Sequence, residues 1–132
     1  MASPFADTNV LIYLISADAH KAARAEQVLA SRVTVSVQVL NEFANVARRQ
    51  AGIAWPVLTQ VLADIRQFSD VRPLTLATHE TALTLAARYP LAWYDALIAA
   101  AALEAGCDTL LSEDLQPGMR LEKRLTVRNP FA

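Results

Sequence analysis

Four acidic residues stand within or beside apolar stretches of the chain, and their side chains are the ones best suited to chemistry. They are Asp7, Glu42, Asp95 and Asp114. Carboxylates in apolar surroundings cost free energy unless they are paired, hydrogen-bonded or bound to a cation. Carboxylates held close together either raise their pKa values or bind a cation. One shared acidic pocket would therefore explain all four positions.

The residues around these acids indicate which cation such a pocket would bind. No His or Cys accompanies them, because His20 and His79 lie in other, helix-like segments and Cys107 has the pattern of a small buried apolar residue. A site with oxygen ligands alone suits Mg²⁺ or Mn²⁺ rather than Zn²⁺. Hard divalent cations in carboxylate pockets typically clamp phosphate oxygens during in-line displacement. The pattern predicts metal-dependent chemistry at a phosphate.

Each acid also has an ordinary structural interpretation. Asp7 and Asp114 can serve as turn or capping residues, which Asp favours. Glu42 lies on a polar helical stripe that a solvated helix face would explain. Asp95 can stabilise the dipole of a helix from its first turn. The four positions taken together favour one pocket over four separate explanations.

The secondary structure expected from the sequence places these acids near the ends of elements. Strands are expected over 4–8, 33–37, 71–74, 108–111 and 125–127, and helical segments over 10–15, 19–31, 38–50, 55–68, 76–88 and 93–105. Alternation of strands and helices predicts an α/β fold, with a mostly parallel central sheet and helices on both faces. Ligands bind beyond the carboxyl ends of the strands in such sheets, where Asp7 and Asp114 are expected.

Composition limits the class of protein. A chain of 132 residues that is 54% hydrophobic predicts one domain over 1–132. The single Cys107 fits a reducing cytosol, no signal peptide is apparent, and the longest apolar stretches fall short of the roughly 20 residues that span a bilayer. We therefore expect a soluble, cytoplasmic protein without membrane association. The net charge of −1 argues against tight, nonspecific binding of nucleic acid.

Four segments of the chain resemble the four acidic motifs of PIN-domain ribonucleases. They are DTNVLI at 7–12, NEF at 41–43, YDALIAAA at 94–101 and LSEDLQ at 111–116. The motifs stand in family order in a chain of family length, and they are most similar to those of VapC-type toxins from bacterial toxin–antitoxin pairs. The fourth motif departs from the family in two places. Ser112 stands where many members have Thr, and Gln116 begins a stretch where many have an aromatic residue.

The resemblance implies a three-layer α/β/α PIN fold and a Mg²⁺- or Mn²⁺-dependent endoribonuclease. It also implies a cognate antitoxin that covers the cleft, and a homodimer. The residues carried over as metal-binding and catalytic are Asp7, Glu42, Asp95 and Asp114, with Asn9 and Ser112 as supporting polar residues.

RNA would need cationic residues near this acidic pocket. Arg120, Lys123 and Arg124 follow the last acidic motif closely, and we expect them at the rim of the cleft as RNA-binding candidates. The sequence leaves the RNA target open among transfer RNA, ribosomal RNA and messenger RNA.

Two other functions remain as alternatives. A haloacid-dehalogenase-like phosphotransferase also begins with an Asp after its first strand. That class uses a second Asp two residues later, where this chain has Asn9. It also uses a Lys beyond the middle of the fold, whereas the only lysines in this chain are Lys21 and Lys123. The other alternative is a binding module that keeps the fold without catalysis. Cleavage of RNA, hydrolysis of a small phosphoester, or metal binding without either would separate the three.

Overall fold

The computed structural model describes residues 3–132 as strands and helices that alternate along most of the chain. The strands are β1 (Phe5–Ala6), β2 (Val33–Ser36), β3 (Ser69–Arg72), β4 (Thr109–Leu111), β5 (Arg120–Leu121) and β6 (Leu125–Arg128). The α-helices are α1 (Thr8–Leu11), α2 (Ala19–Ala30), α3 (Val37–Arg49), α4 (Trp55–Gln67), α5 (Leu76–Arg88) and α6 (Trp93–Glu104). A 3-10 helix over Ile12–Ile15 continues α1.

The strands form one sheet in the order β3-β2-β1-β4-β6-β5. Neighbouring strands from β3 through β6 are parallel, whereas β5 runs antiparallel to β6. Helices flank this sheet, so the predicted α/β fold with a mostly parallel central sheet is confirmed. Because β1, β2 and β4 are parallel, the residues that follow their carboxyl ends gather at one edge of the sheet.

Two of the helices that carry cleft residues, α3 and α6, are held by apolar packing. Every residue of α6 from 96 to 103 is buried, and α6 packs against α5 and β2. In α3 the buried side chains of Val39, Phe43 and Ala47 recur every four residues, which leaves the opposite stripe polar. Ser36 accepts a hydrogen bond from the Val39 N–H and caps α3 at the end of β2. Within residues 3–132, no helix combines the length and the apolar character needed to cross a membrane.

Two strands differ from their predicted spans by two residues at one end or both, for identifiable reasons, and the other three differ by one residue. The first strand was expected over 4–8, but it ends early because Asp7 accepts a hydrogen bond from the Thr8 N–H and caps α1. The third strand, expected over 71–74, begins and ends two residues earlier. Pro73 lacks the N–H that would continue the sheet pairing, so the strand stops before it.

The short hairpin formed by β5 and β6 was not fully predicted, because β5 was missed. Arg120 pairs with Thr126 across the hairpin, and the turn passes through Glu122 and Lys123, whose φ angles of 53° and 58° are left-handed. A strand of two residues is too short to show an alternating pattern. This hairpin closes one side of the sheet and redirects the chain after the fourth acidic motif.

Candidate active site

All four predicted carboxylates line one cleft of about 740 Å³. Asp7 follows β1, and Asp114 lies just beyond β4, the strand next to β1 in the sheet. Glu42 lies on the polar stripe of α3, and Asp95 lies in the first turn of α6. Four segments that are far apart in the chain thus meet at the carboxyl edge of the parallel strands, which is where an open α/β sheet binds its ligand.

Asp7 is the most enclosed of the four, with 3% of its surface exposed. One carboxylate oxygen accepts a hydrogen bond from the Thr8 N–H at 2.7 Å. The other accepts bonds from the Ser112 hydroxyl at 3.0 Å and the Asn9 amide at 3.3 Å. Asn9 also donates to Ser112 at 3.1 Å and accepts from the Glu113 N–H at 3.0 Å. These bonds fasten the loop after β4 to the end of β1 and fix the orientation of the Asp7 carboxylate.

The acids influence one another electrostatically. Burial raises the pKa of Asp7 to about 7; the hydrogen bond from Ser112 opposes this shift, and the charges of Asp95 and Glu42 add to it. The pKa of Asp95 is also raised, first by burial and then by the charges of Glu42 and Asp114. The cleft therefore holds more negative charge than its surroundings stabilise, and a cation would relieve this repulsion.

Glu42 is held by two donors that were not among the predicted site residues, although Thr8 lies within the first motif. The Thr8 hydroxyl donates to one carboxylate oxygen at 2.7 Å, and the Gln38 amide donates to the other at 3.0 Å. Thr8 is beside Asp7 in the chain, and Gln38 precedes Glu42 by one helical turn, so helical spacing could have indicated the second contact. The two bonds aim the Glu42 carboxylate along the cleft.

Glu113, although adjacent to Asp114, does not line the cleft. Its carboxylate forms an ion pair with Lys21 at 2.6 Å and accepts a hydrogen bond from the Tyr13 hydroxyl. The hydrogen bond from Lys21, followed by that from Tyr13, lowers the pKa of Glu113. Glu113 therefore anchors the loop after β4 to α2, while Asp114 faces the cleft.

The donor set fits a hard divalent cation in its chemistry. The candidate ligands are carboxylate oxygens, and the pKa values of Asp7 and Asp95 are raised in part by neighbouring acids. Within residues 3–132, no three acidic, His or Cys side chains are already close enough to form a metal-binding cluster. The Asp7 and Glu42 carboxylates are each held by a separate donor, the Ser112 and Thr8 hydroxyls respectively.

The three basic residues expected at the cleft rim lie elsewhere. Arg120, Lys123 and Arg124 are absent from the cleft lining. Arg120 donates to the Lys123 carbonyl within the hairpin, whose turn precedes the amino end of β6, whereas the cleft lies at the carboxyl ends of the parallel strands. The expectation that they border the acidic pocket is therefore wrong, because the hairpin carries the chain away after Asp114.

Uncharged side chains that the motifs did not single out complete the cleft. Asn41 and Asn45 of α3, Gln50 directly after α3, and Tyr94 of α6 line it together with the acids. All four are exposed. Their place on the helices that carry Glu42 and Asp95 could have been inferred from helical periodicity, but which of them face the cleft depends on how the helices pack.

Comparison with known proteins agrees with this architecture. The family model described as PIN domain matches residues 5–117. Among solved structures, the chain is similar to VapC20 of Mycobacterium tuberculosis, a sarcin-ricin loop cleaving toxin, with a TM-score of 0.69 and 23% identity over 85% of this chain and 90% of that one.

Two assemblies of toxin and antitoxin are similar as well. A toxin–antitoxin complex from Klebsiella pneumoniae has a TM-score of 0.70 and 21% identity, over 97% of this chain and 98% of that one. A DNA-bound VapBC from Salmonella typhimurium has a TM-score of 0.74 and 18% identity, over 98% and 99%. No curated protein matches the chain in sequence. The family match extends over most of the chain and includes all four acids, and the chain belongs to the PIN domain family.

Proposed function

We propose that this protein is a Mg²⁺- or Mn²⁺-dependent endoribonuclease and the toxin of a VapBC-type toxin–antitoxin pair. The observation that carries the proposal is the convergence of Asp7, Glu42, Asp95 and Asp114 on one cleft at the carboxyl edge of the sheet. The PIN family match and the fold shared with a sarcin-ricin loop cleaving toxin support the same class of reaction. We further propose that the chain is a single PIN domain over 1–132.

The four carboxylates are the residues that would hold the cation. When bound, the metal would stabilise charge on the scissile phosphate and lower the pKa of water at the site. The protein contributes orientation: Ser112 and Asn9 hold the Asp7 carboxylate from one side of the cleft. On the α3 side, Thr8 holds the Glu42 carboxylate. These contacts fix two of the acids before RNA arrives, which reduces the cost of organising the site.

The test is cleavage of a mixed RNA pool by the purified protein. We expect cleavage with Mg²⁺ or Mn²⁺, none in EDTA, and products with 5′-phosphate and 3′-hydroxyl ends, because water rather than the RNA 2′-hydroxyl attacks phosphorus. An Asp64→Asn variant is the matched control, because Asp64 is an exposed carboxylate outside the cleft. Cleavage that persists in EDTA, or 2′,3′-cyclic ends, would rule out the proposed mechanism.

The proposed partners are an antitoxin and a second copy of the chain. Two of the similar structures are toxin–antitoxin assemblies, which supports a cognate antitoxin. Large apolar side chains are exposed on the helices, including Trp55, Val57, Leu76 and Leu83, and exposed apolar surface of this kind is typical of protein interfaces. We expect expression of the protein alone to inhibit bacterial growth and co-expression of the neighbouring gene to relieve it. Harmless expression of the active nuclease would refute the toxin role and leave the chemistry intact.

The same assays address the two alternatives. The PIN family match argues against a haloacid-dehalogenase-like phosphotransferase, which has no support in the comparisons. A non-catalytic binding module would bind metal and RNA without cleaving the RNA, so the cleavage assay decides between it and the nuclease.

A further inference from the structure

Beside the four acids, the cleft has a wall of uncharged groups that can bind a nucleobase. Tyr94 on α6 lines the cleft and is 59% exposed. Asn41 and Asn45 on α3 line the same cleft with exposed carboxamide side chains. Within residues 3–132 these three side chains form no hydrogen bond with another protein group. An aromatic ring and two free amides are therefore available to a ligand.

The position of these groups relative to the acids is set by helix geometry. Tyr94 directly precedes Asp95 in the first turn of α6. Asn41 is adjacent to Glu42 on α3. Asn45 lies three residues after Glu42, which is about 4.5 Å along the helix axis. Both helices contribute residues to the lining of the same cleft, and α3 packs against α6, so the two helices face the same space. A base held by this wall would belong to a nucleotide next to the one that the acids contact.

The charge of the cleft explains why neutral groups suit this position. Four carboxylates repel phosphate, and the basic residues expected at the rim lie outside the cleft lining. A base is uncharged, so an aromatic face and amide groups can attract it without opposing the acidic field. Proteins recognise single-stranded RNA by stacking splayed bases on aromatic side chains and by hydrogen bonds to base edges.

We propose that Tyr94, Asn41 and Asn45 form a nucleobase subsite that holds one unpaired base of the RNA substrate beside the cleavage site. Tyr94 stacks on the face of the base, and the asparagine amides, which both donate and accept hydrogen bonds, bind its edge. This inference rests on the proposed ribonuclease function and extends it to the class of substrate, which is RNA with an unpaired base beside the cleavage site.

The test measures the affinity of short single-stranded RNA by fluorescence anisotropy, in EDTA to prevent cleavage. Tyr94→Phe keeps the ring and is expected to bind as the wild type does, whereas Tyr94→Leu keeps apolar volume without the aromatic face. Base–aromatic stacking of ordinary strength predicts about tenfold weaker binding for the leucine variant. Phe68→Leu is the matched control, because Phe68 is an aromatic residue, 48% exposed, that lies outside the cleft lining.

An abasic nucleotide locates the contact. The abasic site is moved along the oligonucleotide one position at a time. At one position, loss of the base should weaken binding to the wild type about tenfold, as Tyr94→Leu does, and should leave binding to Tyr94→Leu unchanged. The subsite would be overturned if the losses of affinity from the abasic site and from Tyr94→Leu add at every position. Equal RNA affinity of Tyr94→Leu and wild type would also overturn it. An effect of Tyr94→Leu on antitoxin binding alone would also overturn it.

Metal-dependent cleavage of RNA keeps the two proposals separate. If the wild type cleaves RNA, and Tyr94→Leu has the same RNA affinity and the same cut sites as the wild type, the subsite is refuted and the nuclease stands. Binding of RNA that depends on Tyr94, without any cleavage in Mg²⁺ or Mn²⁺, would refute the nuclease and leave the subsite standing. Asn45→Ala should change which base is preferred beside the cut, with a smaller effect on affinity than Tyr94→Leu.

Discussion

Replacing Asp7 with asparagine should stabilise the metal-free protein at pH 8. The folded protein keeps a proton on Asp7 up to a pKa of about 7, whereas the unfolded chain loses it near the ordinary value of 3.8. Between these values the folded state binds more protons, so the free energy of unfolding falls as pH rises through this window. Above pH 7 the cost of the buried charge is fully present.

The size of the effect follows from the pKa of Asp7, which burial raises from 3.8 to about 7. At 1.36 kcal/mol per unit, burial of the Asp7 charge costs at most about 4 kcal/mol above pH 7. Asparagine at position 7 can still accept from the Thr8 N–H, but its amide nitrogen would face the Ser112 hydroxyl and the Asn9 amide and could not accept their hydrogen bonds. Each lost hydrogen bond costs about 1 kcal/mol, so we expect a net gain of roughly 2 kcal/mol.

The assay is urea denaturation followed by tryptophan fluorescence in EDTA at pH 5 and pH 8. Asp7→Asn should be more stable than the wild type at pH 8, and this advantage should be smaller at pH 5, where the folded wild type retains most of its proton. Asp64→Asn, which alters an exposed carboxylate outside the cleft, should show no such pH-dependent advantage. Mg²⁺ at pH 8 should stabilise the wild type more than Asp7→Asn.

Two outcomes would refute this reasoning. Equal stability of Asp7→Asn and wild type at pH 8 would mean that the Asp7 carboxylate is solvated or already compensated. A stability difference that does not change between pH 5 and pH 8 would mean that the substitution acts through packing or hydrogen bonding and not through the charge.

The remaining predictions concern catalysis and assembly. Asp95→Asn should abolish RNA cleavage in the folded protein, as judged by turnover at saturating Mg²⁺ and by circular dichroism; near-normal turnover would exclude a direct catalytic role. Glu42→Gln should reduce kcat less than Asp95→Asn, because the amide keeps one oxygen for the Thr8 hydroxyl. Replacing Arg120, Lys123 and Arg124 together with alanine should leave the KM for RNA within about twofold, because none lines the cleft; a large rise would restore their RNA-binding role. Sedimentation at micromolar concentration should show a dimer, and a monomer would refute it.

Much of the fold was predictable from local signals. The predicted helices agree with the structure to within a residue or two, because apolar periodicity and nearby caps, such as Ser36 before α3 and Asp18 before α2, define them locally. The strand β5 and the displacement of β3 were not predictable in this way. Strands of two to four residues depend on their partners in the sheet, which are distant in sequence.

The misplaced basic residues show where sequence proximity fails. Arg120 is only six residues beyond Asp114, and this closeness suggested a shared rim. The chain instead enters β5, which forms a hairpin with β6, a strand that lies later in the sequence. Nearness along a loop predicts nearness in space for one or two residues, and beyond that the pairing of strands decides.

The sequence by itself determined which side chains could form the site, because acid residues within apolar segments must find partners or a cation wherever the chain folds. The tertiary structure decided which groups surround these acids. Asp7 and its donor Ser112 are 105 positions apart, and Thr8 reaches Glu42 across 34 positions. Burial, mutual repulsion and hydrogen bonding between such distant groups set the pKa of Asp7, since all three depend on distance in space and none on distance along the chain.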